Sequence, residues 1–464
     1  MIRFYSVKSI LKDSILPYPT INQINQNVSN LNLSNNEIIP NIKGYIKSIN
    51  SLKKLTFIDL FDGTTSQPLK IVLPTQNISN THLQIGQAIS LSNLQLKLTP
   101  QRSHPFELFC NDPLLLSPSS HANDLSFLQK KQNLPLSFLR SNNLHKYKTE
   151  YLSSFLRFRS KVQTNLIDIL QRQDFHWVNP PIITTNDTEG NNQTFKLIAS
   201  SLEQNNLNLT VSTQLHLEIL ALSLSNVFSF SPIFRAEQSD TSRHLSEFYM
   251  LELESTNLIT TDHLIQSIKL LIQKLVSSFS DALLPSQVPM DQCDQLQTKD
   301  RWNLILTDSK WLTVTYSKAI EILNANNFSI KWGQDLSYEM EKFLTKTHFN
   351  NSFLFITKYP KSLKPFYMKQ SIEDPNTVEC FDLLFPSMGE IAGGSIREDN
   401  YDVLKSNVHS KDNLDWYLEL RSTGSTPHGG FGVGFERLLA YLYGLQNVKD
   451  AIPFYRAIKD NITL

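Results

Sequence analysis

Residues 231–248 read SPIFRAEQSDTSRHLSEF, two arginines and a histidine set among three acids and bounded by apolar and aromatic anchors. The runs on either side, 227–230 and 249–253, are apolar or alternate in the manner of paired strands, which predicts a β-hairpin with a polar loop from 237 to 243. Arg235 and Glu237 fall on one face of a strand that begins with Ile233 and Phe234. A surface hairpin can carry charge simply to stay solvated. Charges on a half-buried sheet face are costly to desolvate unless a partner or ligand meets them, so this hairpin is a candidate binding element.

At 464 residues the chain is long enough for two or three domains with a large core. No apolar run approaches the roughly 20 residues that cross a bilayer, so no transmembrane helix is expected. The three cysteines, Cys110, Cys293 and Cys380, form no CxxC pair. Neither a disulfide framework nor a cysteine zinc site is expected, and a reducing compartment fits. The opening residues MIRFYSVKSILK hold Arg3, Lys8 and Lys12 and no acid, with Phe4, Val7 and Leu11 on one helical stripe. That composition predicts a mitochondrial targeting segment over residues 1–12, against the alternative of a basic terminus without function.

Residues 13–38, rich in Asn, Ser and Pro, are expected to be an extended lead-in. Short alternating runs over 39–116, separated by turn signals such as Asp62-Gly63 and Gly86, predict a small β-barrel. Between Asn41 and Cys110 there are seven Lys/Arg against three Asp/Glu, a surplus of four, with Tyr45 and Phe57 as stacking candidates. This suits an OB-fold that holds single-stranded nucleotides, although many barrels carry a merely solvated lysine face. Residues 117–148 read as a linker or hinge. From 149 to 464 strands alternate with helices, expected at 151–172, 265–279 and 337–344. Two prolines in DFHWVNPP end the first of these helices. Neither GxGxxG after a strand nor GxxxxGKS occurs, which removes Rossmann and P-loop nucleotide binding.

Three further clusters carry chemistry. In GGFGVGFERLLAYLYG, residues 429–444, a glycine-alternating strand becomes a helix near Glu436. Arg437 then opposes the dipole in its first turn, which calls for an anionic partner, or else a structural ion pair. In CFDLLFPSMGEIAGGSIRE, Asp382 and Glu390 flank a tight turn and could hold Mg²⁺, with Arg397 after a Gly-Gly pair. In NDTEGNNQTF, Glu189 precedes a glycine in a polar loop. Three arginines, carboxylates and aromatics on a sheet suit a nucleoside triphosphate bound with metal, and hence phosphoryl or nucleotidyl transfer.

These segments also resemble a known family. FRAEQSDTSRHLSEF is similar to motif 2 of class II aminoacyl-tRNA synthetases, GFGVGFERLL to motif 3, and WVNPPII to the end of motif 1. The resemblance runs from about Ile39 to the C-terminus and points to the aspartyl/asparaginyl/lysyl branch, more narrowly to the asparaginyl enzymes. TSRHLSEF, YPKSLKPFYM, MGEIAGGSIRE, WYLELRSTGSTPHGGFG and IPFYR carry the narrower likeness. Aspartyl enzymes of the branch place a lysine where this chain has Leu217, and a missing cation favours a neutral amide over a carboxylate.

The resemblance implies an α+β fold: a class II antiparallel sheet flanked by helices, preceded by an all-β OB-fold anticodon-binding barrel. It implies that asparagine is activated with ATP to asparaginyl-adenylate and passed to the 3′ end of tRNA(Asn), in the mitochondrial matrix. Arg235 would hold the α-phosphate and Glu237 the adenine amino group. Arg243 and His244 would lie near the outer phosphates, Phe248 would stack on adenine, and Arg437 would cover its other face. Arg235 and Arg437 would be the catalytic charges. Asp382 and Glu390 would bind Mg²⁺, with Glu390 also serving ATP. Glu189 and Gln214 would take the substrate ammonium and Arg397 its side chain. Phe57 and Gln67 would meet anticodon bases, and Pro181 would lie at a homodimer interface. The competing readings are an aspartyl or non-discriminating enzyme, an amidating ligase of the asparagine synthetase kind, and a non-catalytic tRNA-binding relative.

Overall fold

The computed structural model describes residues 15–30, 35–78, 83–102, 104–111, 115–116, 134–185, 194–198, 207–408 and 414–458. The expected targeting segment and Glu189 lie outside the described residues. The chain divides into two compact units, residues 1–158 with 282–292, and residues 159–281 with 293–464.

Among its described residues the first unit is built on six strands: β1 (Ile38–Ser51), β2 (Leu55–Phe61), β3 (Leu69–Pro74), β4 (Ala88–Leu98), β5 (Phe106–Phe109) and β6 (Leu115–Leu116). Their order is β1-β2-β3-β5-β4-β6, and a further β1–β4 pairing closes the first five into a barrel. The period-2 alternation explains the closure: Ile42, Ile46, Ile58, Leu60, Ile71, Leu91, Leu94, Leu96 and Leu108 all point inward and are buried. The lead-in is not extended. Residues Ile21–Asn30 form helix α1, whose Ile21 and Ile24 are buried in the barrel's core cluster. The Asn-rich composition hid an apolar stripe of Ile21, Ile24 and Val28 at spacings of three and four. The expected linker contributes a short helix α2 (Leu136–Leu139), with Leu136 and Leu139 buried and the Leu136 N–H donating to Asp291 at 3.0 Å. Helix α3 (Glu150–Gln171) begins in this unit, where Glu150 accepts from the Ser286 N–H at 3.0 Å. The boundary expected near residue 149 therefore falls inside α3 instead.

The second unit is an eight-stranded sheet with helices. Its strands are β7 (His176–Trp177), β10 (Asn226–Phe234), β11 (Glu247–Ser255), β12 (Trp311–Thr315), β13 (Phe353–Thr357), β14 (Cys380–Phe385), β15 (Gly389–Ile396) and β16 (Gly429–Gly434). A separate pair, β8 (Ile183–Thr184) and β9 (Asn208–Leu209), stands outside this sheet. The order is β12-β13-β14-β15-β16-β11-β10-β7, antiparallel throughout except for the parallel outer pairs β12–β13 and β10–β7. The helices are α4 (Gln214–Leu224), α5 (Thr261–Ser277), α6 (Gln295–Ile305), α7 (Tyr316–Ala325), α8 (Tyr338–Lys342), α9 (Tyr401–Asn407), α10 (Asp415–Ser422) and α11 (Phe435–Tyr443). Helix α5 starts where the Thr260 side chain accepts from the His263 N–H, and it buries Leu264, Ile268, Leu271, Ile272 and Leu275 on one stripe. Helix α11 stops at Gly444, whose φ of 87° is left-handed. The helix expected at 337–344 is α8 followed by a π-helical turn over Phe343–His348.

The hairpin is confirmed and is longer than its apolar runs suggested. Strands β10 and β11 pair from Asn226↔Ser255 to Phe234↔Glu247, and the Arg235 N–H extends the ladder to the Ser246 carbonyl at 3.0 Å. The alternating glycines of β16 have a steric cause. A Cβ on Gly430 would lie 2.1 Å from the Leu253 carbonyl oxygen of β11. On the other neighbour, β15, a Cβ on Gly394 would lie 2.6 Å from the Phe431 Cβ and 2.8 Å from the Gly430 carbonyl oxygen, so these strands close only where the facing position is bare. Gly394→Ala should therefore destabilise the second unit by about 1–3 kcal/mol, the usual cost of overpacking. Chemical denaturation would show a lower midpoint at an unchanged slope.

Candidate active site

Strands β11, β14, β15 and β16 form the floor of a cavity of about 520 Å³ in the second unit. The structure brings Arg235, Glu237, Arg243, His244, Phe248, Gln214, Asp382, Glu390, Arg397 and Arg437 to its walls. Phe57 and Gln67 belong to the first unit, where Phe57 is half-buried on β2 and Gln67 is exposed in the β2–β3 connection. Pro181 is exposed between β7 and β8.

One end of the cavity is a cluster of cations. Arg235 leaves the end of β10, its guanidinium 5.6 Å from the centre of the Phe248 ring and 4.0 Å from Glu237. Arg243 lies 3.8 Å over the Tyr338 ring and 3.4 Å from Glu341. Arg437, in the first turn of α11, donates to the backbone carbonyls of Glu390 at 2.8 Å and Arg243 at 3.3 Å. Its tendency to hold a proton is lowered by burial and by the nearby charges of Arg243 and Arg235, with Glu390 opposing. His244 is pushed the same way by burial, Arg437 and Arg243, against Glu237, and is neutral near pH 7. The loop carrying these groups is tied down from afar, by Lys449 to Asp240 at 3.0 Å and by the Val448 N–H to the Ser242 carbonyl at 2.9 Å.

Asp382 and Glu390 face each other across Gly393, where an added Cβ would lie 3.4 Å from an oxygen of each. Lys364, a residue that sequence reasoning missed, contacts both Asp382 oxygens at 2.7 Å. Burial and the Glu390 charge raise the Asp382 carboxyl, while Lys364 pulls it down. Hard oxygen donors in mutual repulsion suit a divalent cation that takes its remaining ligands from phosphate and water.

The other end is fully paired. Arg397 is buried and meets Glu254 through Nε at 3.1 Å and Nη2 at 2.7 Å, and it donates to Ser395 at 2.6 Å. The expected substrate cation therefore arrives with its own carboxylate. Glu252 fixes the start of α4 by accepting from the Ser212 hydroxyl and from the Thr213 N–H at 2.9 Å. That turn presents Gln214, whose side chain donates to Glu218 at 3.0 Å. Leu217 is buried against Ala221 and Val227 and brings no charge. Glu254 had a visible signal, since Glu252 and Glu254 alternate with Leu251 and Leu253 on a strand and so share one face.

Comparison with known proteins now bears on this geometry. A family model described as tRNA synthetases class II (D, K and N) matches residues 137–457. The mitochondrial asparagine–tRNA ligase of Saccharomyces cerevisiae is 44% identical, covering 91% of this chain and 92% of that protein. The chain belongs to the asparagine–tRNA ligases, within class II of the tRNA synthetases. The mitochondrial enzyme of Schizosaccharomyces pombe is 36% identical over 91% of this chain and 95% of its own. The asparaginyl-tRNA synthetase of Pyrococcus horikoshii, solved with asparaginyl-adenylate, superposes with a TM-score of 0.79 at 26% identity, covering 91% of this chain and 95% of that chain.

Glu341, beside Arg243 at the cation end, was invisible to sequence reasoning. Burial and the charges of Glu390 and Asp382 raise its carboxyl to about 7, against Arg243 and Arg437. An acid raised above its ordinary 4.5 disfavours the fold increasingly between pH 4.5 and about 7, and fully above that. Glu341→Gln should thus gain in melting temperature relative to the unaltered protein as pH rises from 5 to 8. Melting curves at four pH values across that range would test the sign.

Proposed function

We propose that this chain activates asparagine with ATP and transfers it to tRNA(Asn), with each end of the cavity taking one half of the adenylate. The carrying observation is the contrast between those ends. Arg235, Arg243 and Arg437 repel one another and would be relieved by a triphosphate. Arg397 and Glu254 are already paired, so they offer one donor and one acceptor to a neutral amide. An aspartate carboxylate would face Glu254 with like charge, and Leu217 supplies no cation to offset it.

Arg235 would hold the α-phosphate, and Arg243 with neutral His244 the outer phosphates. Phe248 and Arg437 would enclose the adenine, and Glu237 would accept from its amino group. Gln214, with Glu189 from the polar loop, would take the substrate ammonium, and Arg397 the amide oxygen. The asparagine carboxylate attacks the α-phosphorus, the bond to the bridging oxygen breaks, and pyrophosphate leaves. The tRNA terminal hydroxyl then attacks the adenylate carbonyl, and AMP departs. No side chain forms a covalent bond, so catalysis rests on positioning and charge stabilisation. Asp382 and Glu390 would hold a Mg²⁺ ion, which would supply further neutralisation of phosphate charge.

The barrel would read the anticodon, with Phe57 stacking on a base and Gln67 nearby. A mitochondrial matrix location is supported by the acid-free opening residues and by the mitochondrial relatives. A homodimer through the segment around Pro181 is supported by the exposure of Trp177 (42%) on the sheet's edge strand β7 and of Ile182 (38%) and Ile183 (52%) in the segment that follows it.

ATP–pyrophosphate exchange should be supported by asparagine and weakly or not at all by aspartate. Arg235→Ala should lower the rate at least 100-fold, about 2.7–4 kcal/mol of transition-state stabilisation. Equal exchange with aspartate would overturn the specificity argument. Sedimentation should give twice the chain mass, and Ile183→Asp should shift it towards the monomer.

A further inference from the structure

The reading above leaves one buried charge cluster without a task. Glu218 of α4 and His428, just before β16, are both wholly buried. The Glu218 Oε2 accepts from the Tyr417 hydroxyl at 2.6 Å and from Arg421 Nη2 at 2.8 Å, both on α10. The same oxygen lies 3.2 Å from His428 Nε2. On its other side, His428 Nδ1 is 2.7 Å from the Thr426 carbonyl oxygen. A carbonyl and a carboxylate can only accept, so both ring nitrogens donate and the ring is an imidazolium.

With three donors on Oε2, Glu218 is left with Oε1 for the Gln214 amide at 3.0 Å. Arg397 Nε lies 3.7 Å from that same Oε1. Glu218 thus connects the ring of His428, a residue that does not itself line the cavity, to the side chains of Gln214 and Arg397, which do. A neutral imidazole would have to turn a lone pair towards either the carbonyl or the carboxylate. That would push Glu218 off its present position and free the Gln214 side chain.

We propose that His428 is a positioning residue for the amino-acid substrate, its ring proton holding Gln214 in place through Glu218. The proposal rests on the reading of the cavity as an asparagine-activating site and adds the residue that keeps its amino-acid end in register. The charged groups facing His428 are Glu218 from α4, Arg421 from α10, Glu254 from β11 and, through Glu218, Arg397 beyond β15. Burial would lower the imidazole's affinity for its proton; the hydrogen bond and charge of Glu218 and the charge of Glu254 outweigh burial and Arg421, and the direction is up. A base raised above its ordinary 6.5 keeps the clamp at and below that pH and loses it as pH climbs through the raised value. The effect therefore falls on the alkaline side.

The test is asparagine-dependent ATP–pyrophosphate exchange between pH 6.5 and 9.5, for the unaltered protein, His428→Ala and His428→Gln. The expected result is a tenfold or greater rise in the asparagine KM of His428→Ala, with the ATP KM within twofold. His428→Gln, which can still donate to Glu218, should recover part of the loss. The asparagine KM of the unaltered protein should rise on the alkaline limb more steeply than that of either variant, in which only loss of the substrate's own ammonium proton remains. Parallel rises in both KM values would show a merely structural role and overturn the proposal, as would an alkaline limb of equal size in all three proteins. A titration of ring-labelled histidine by NMR, with the His428 signal identified by its loss in His428→Gln, decides independently of activity. A doubly protonated ring at pH 7 supports the proposal and a neutral one overturns it. Absence of asparagine exchange in the unaltered protein would instead count against the functional reading, with the NMR result still deciding the state of His428.

Discussion

Like charges held close together govern the cation end of this molecule. Arg437 is fixed by two backbone carbonyls, so it cannot swing away from Arg243 and Arg235. Helix α11 places it there, because the first turn of a helix that follows a strand directly has little freedom to reorient. Burial first, and then the neighbouring like charges, lower the proton affinity of Arg437, and burial with Glu390 and Asp382 raises the carboxyl of Glu341. A fold that tolerates this has set its electrostatics for a bound polyanion before the polyanion arrives, which is the physical content of preorganisation.

The opposite end obeys the opposite rule. Among the described residues every charge there has a partner at hydrogen-bond distance, and the packing that allows it depends on absent side chains. A Cβ on Gly430 would stand 2.2 Å from the Glu254 carboxylate and 2.9 Å from Arg397 Nη2, so the bare strand β16 gives that ion pair its room. Buried pairs of this kind add little stability relative to apolar packing, but breaking one is expensive. The set therefore works as a rigid template. It is also the setting in which the proposed role of Leu217 makes sense, since a rigid, neutralised template discriminates by the shape and polarity of what is added to it.

What could be read from the sequence was whatever lay close together along the chain. The hairpin at 231–248, the glycine strand and α3 each carry their signal within a short window, as do Arg235, Glu237, Arg243 and Arg437. The partners that give these residues their character come from distant segments. Glu341 sits on a short helix before a π-helical turn, Lys364 in an irregular stretch, and His428 lies 210 residues from Glu218. No local period marks such pairs, because they are made by strand order and not by spacing. Helix α1 failed for a different reason, since its Asn and Gln content outweighed three well-spaced apolar residues.

The two ends are also tied to each other by a common ruler. Strand β15 carries Glu390 near its start and is followed at once by Arg397, while β16 has His428 just before it and Arg437 just after it. These strands are paired directly, from Ala392↔Val433 to Ile396↔Gly429. Seven residues of extended chain span on the order of 20 Å, the scale of a nucleoside phosphate joined to an amino acid. The distance between the ends proposed to take phosphate and amide is therefore set by a hydrogen-bonded ladder and not by loops. A reaction that relies on positioning, with no nucleophilic side chain, needs its two substrates held at a fixed separation, and this ladder is the element able to hold it.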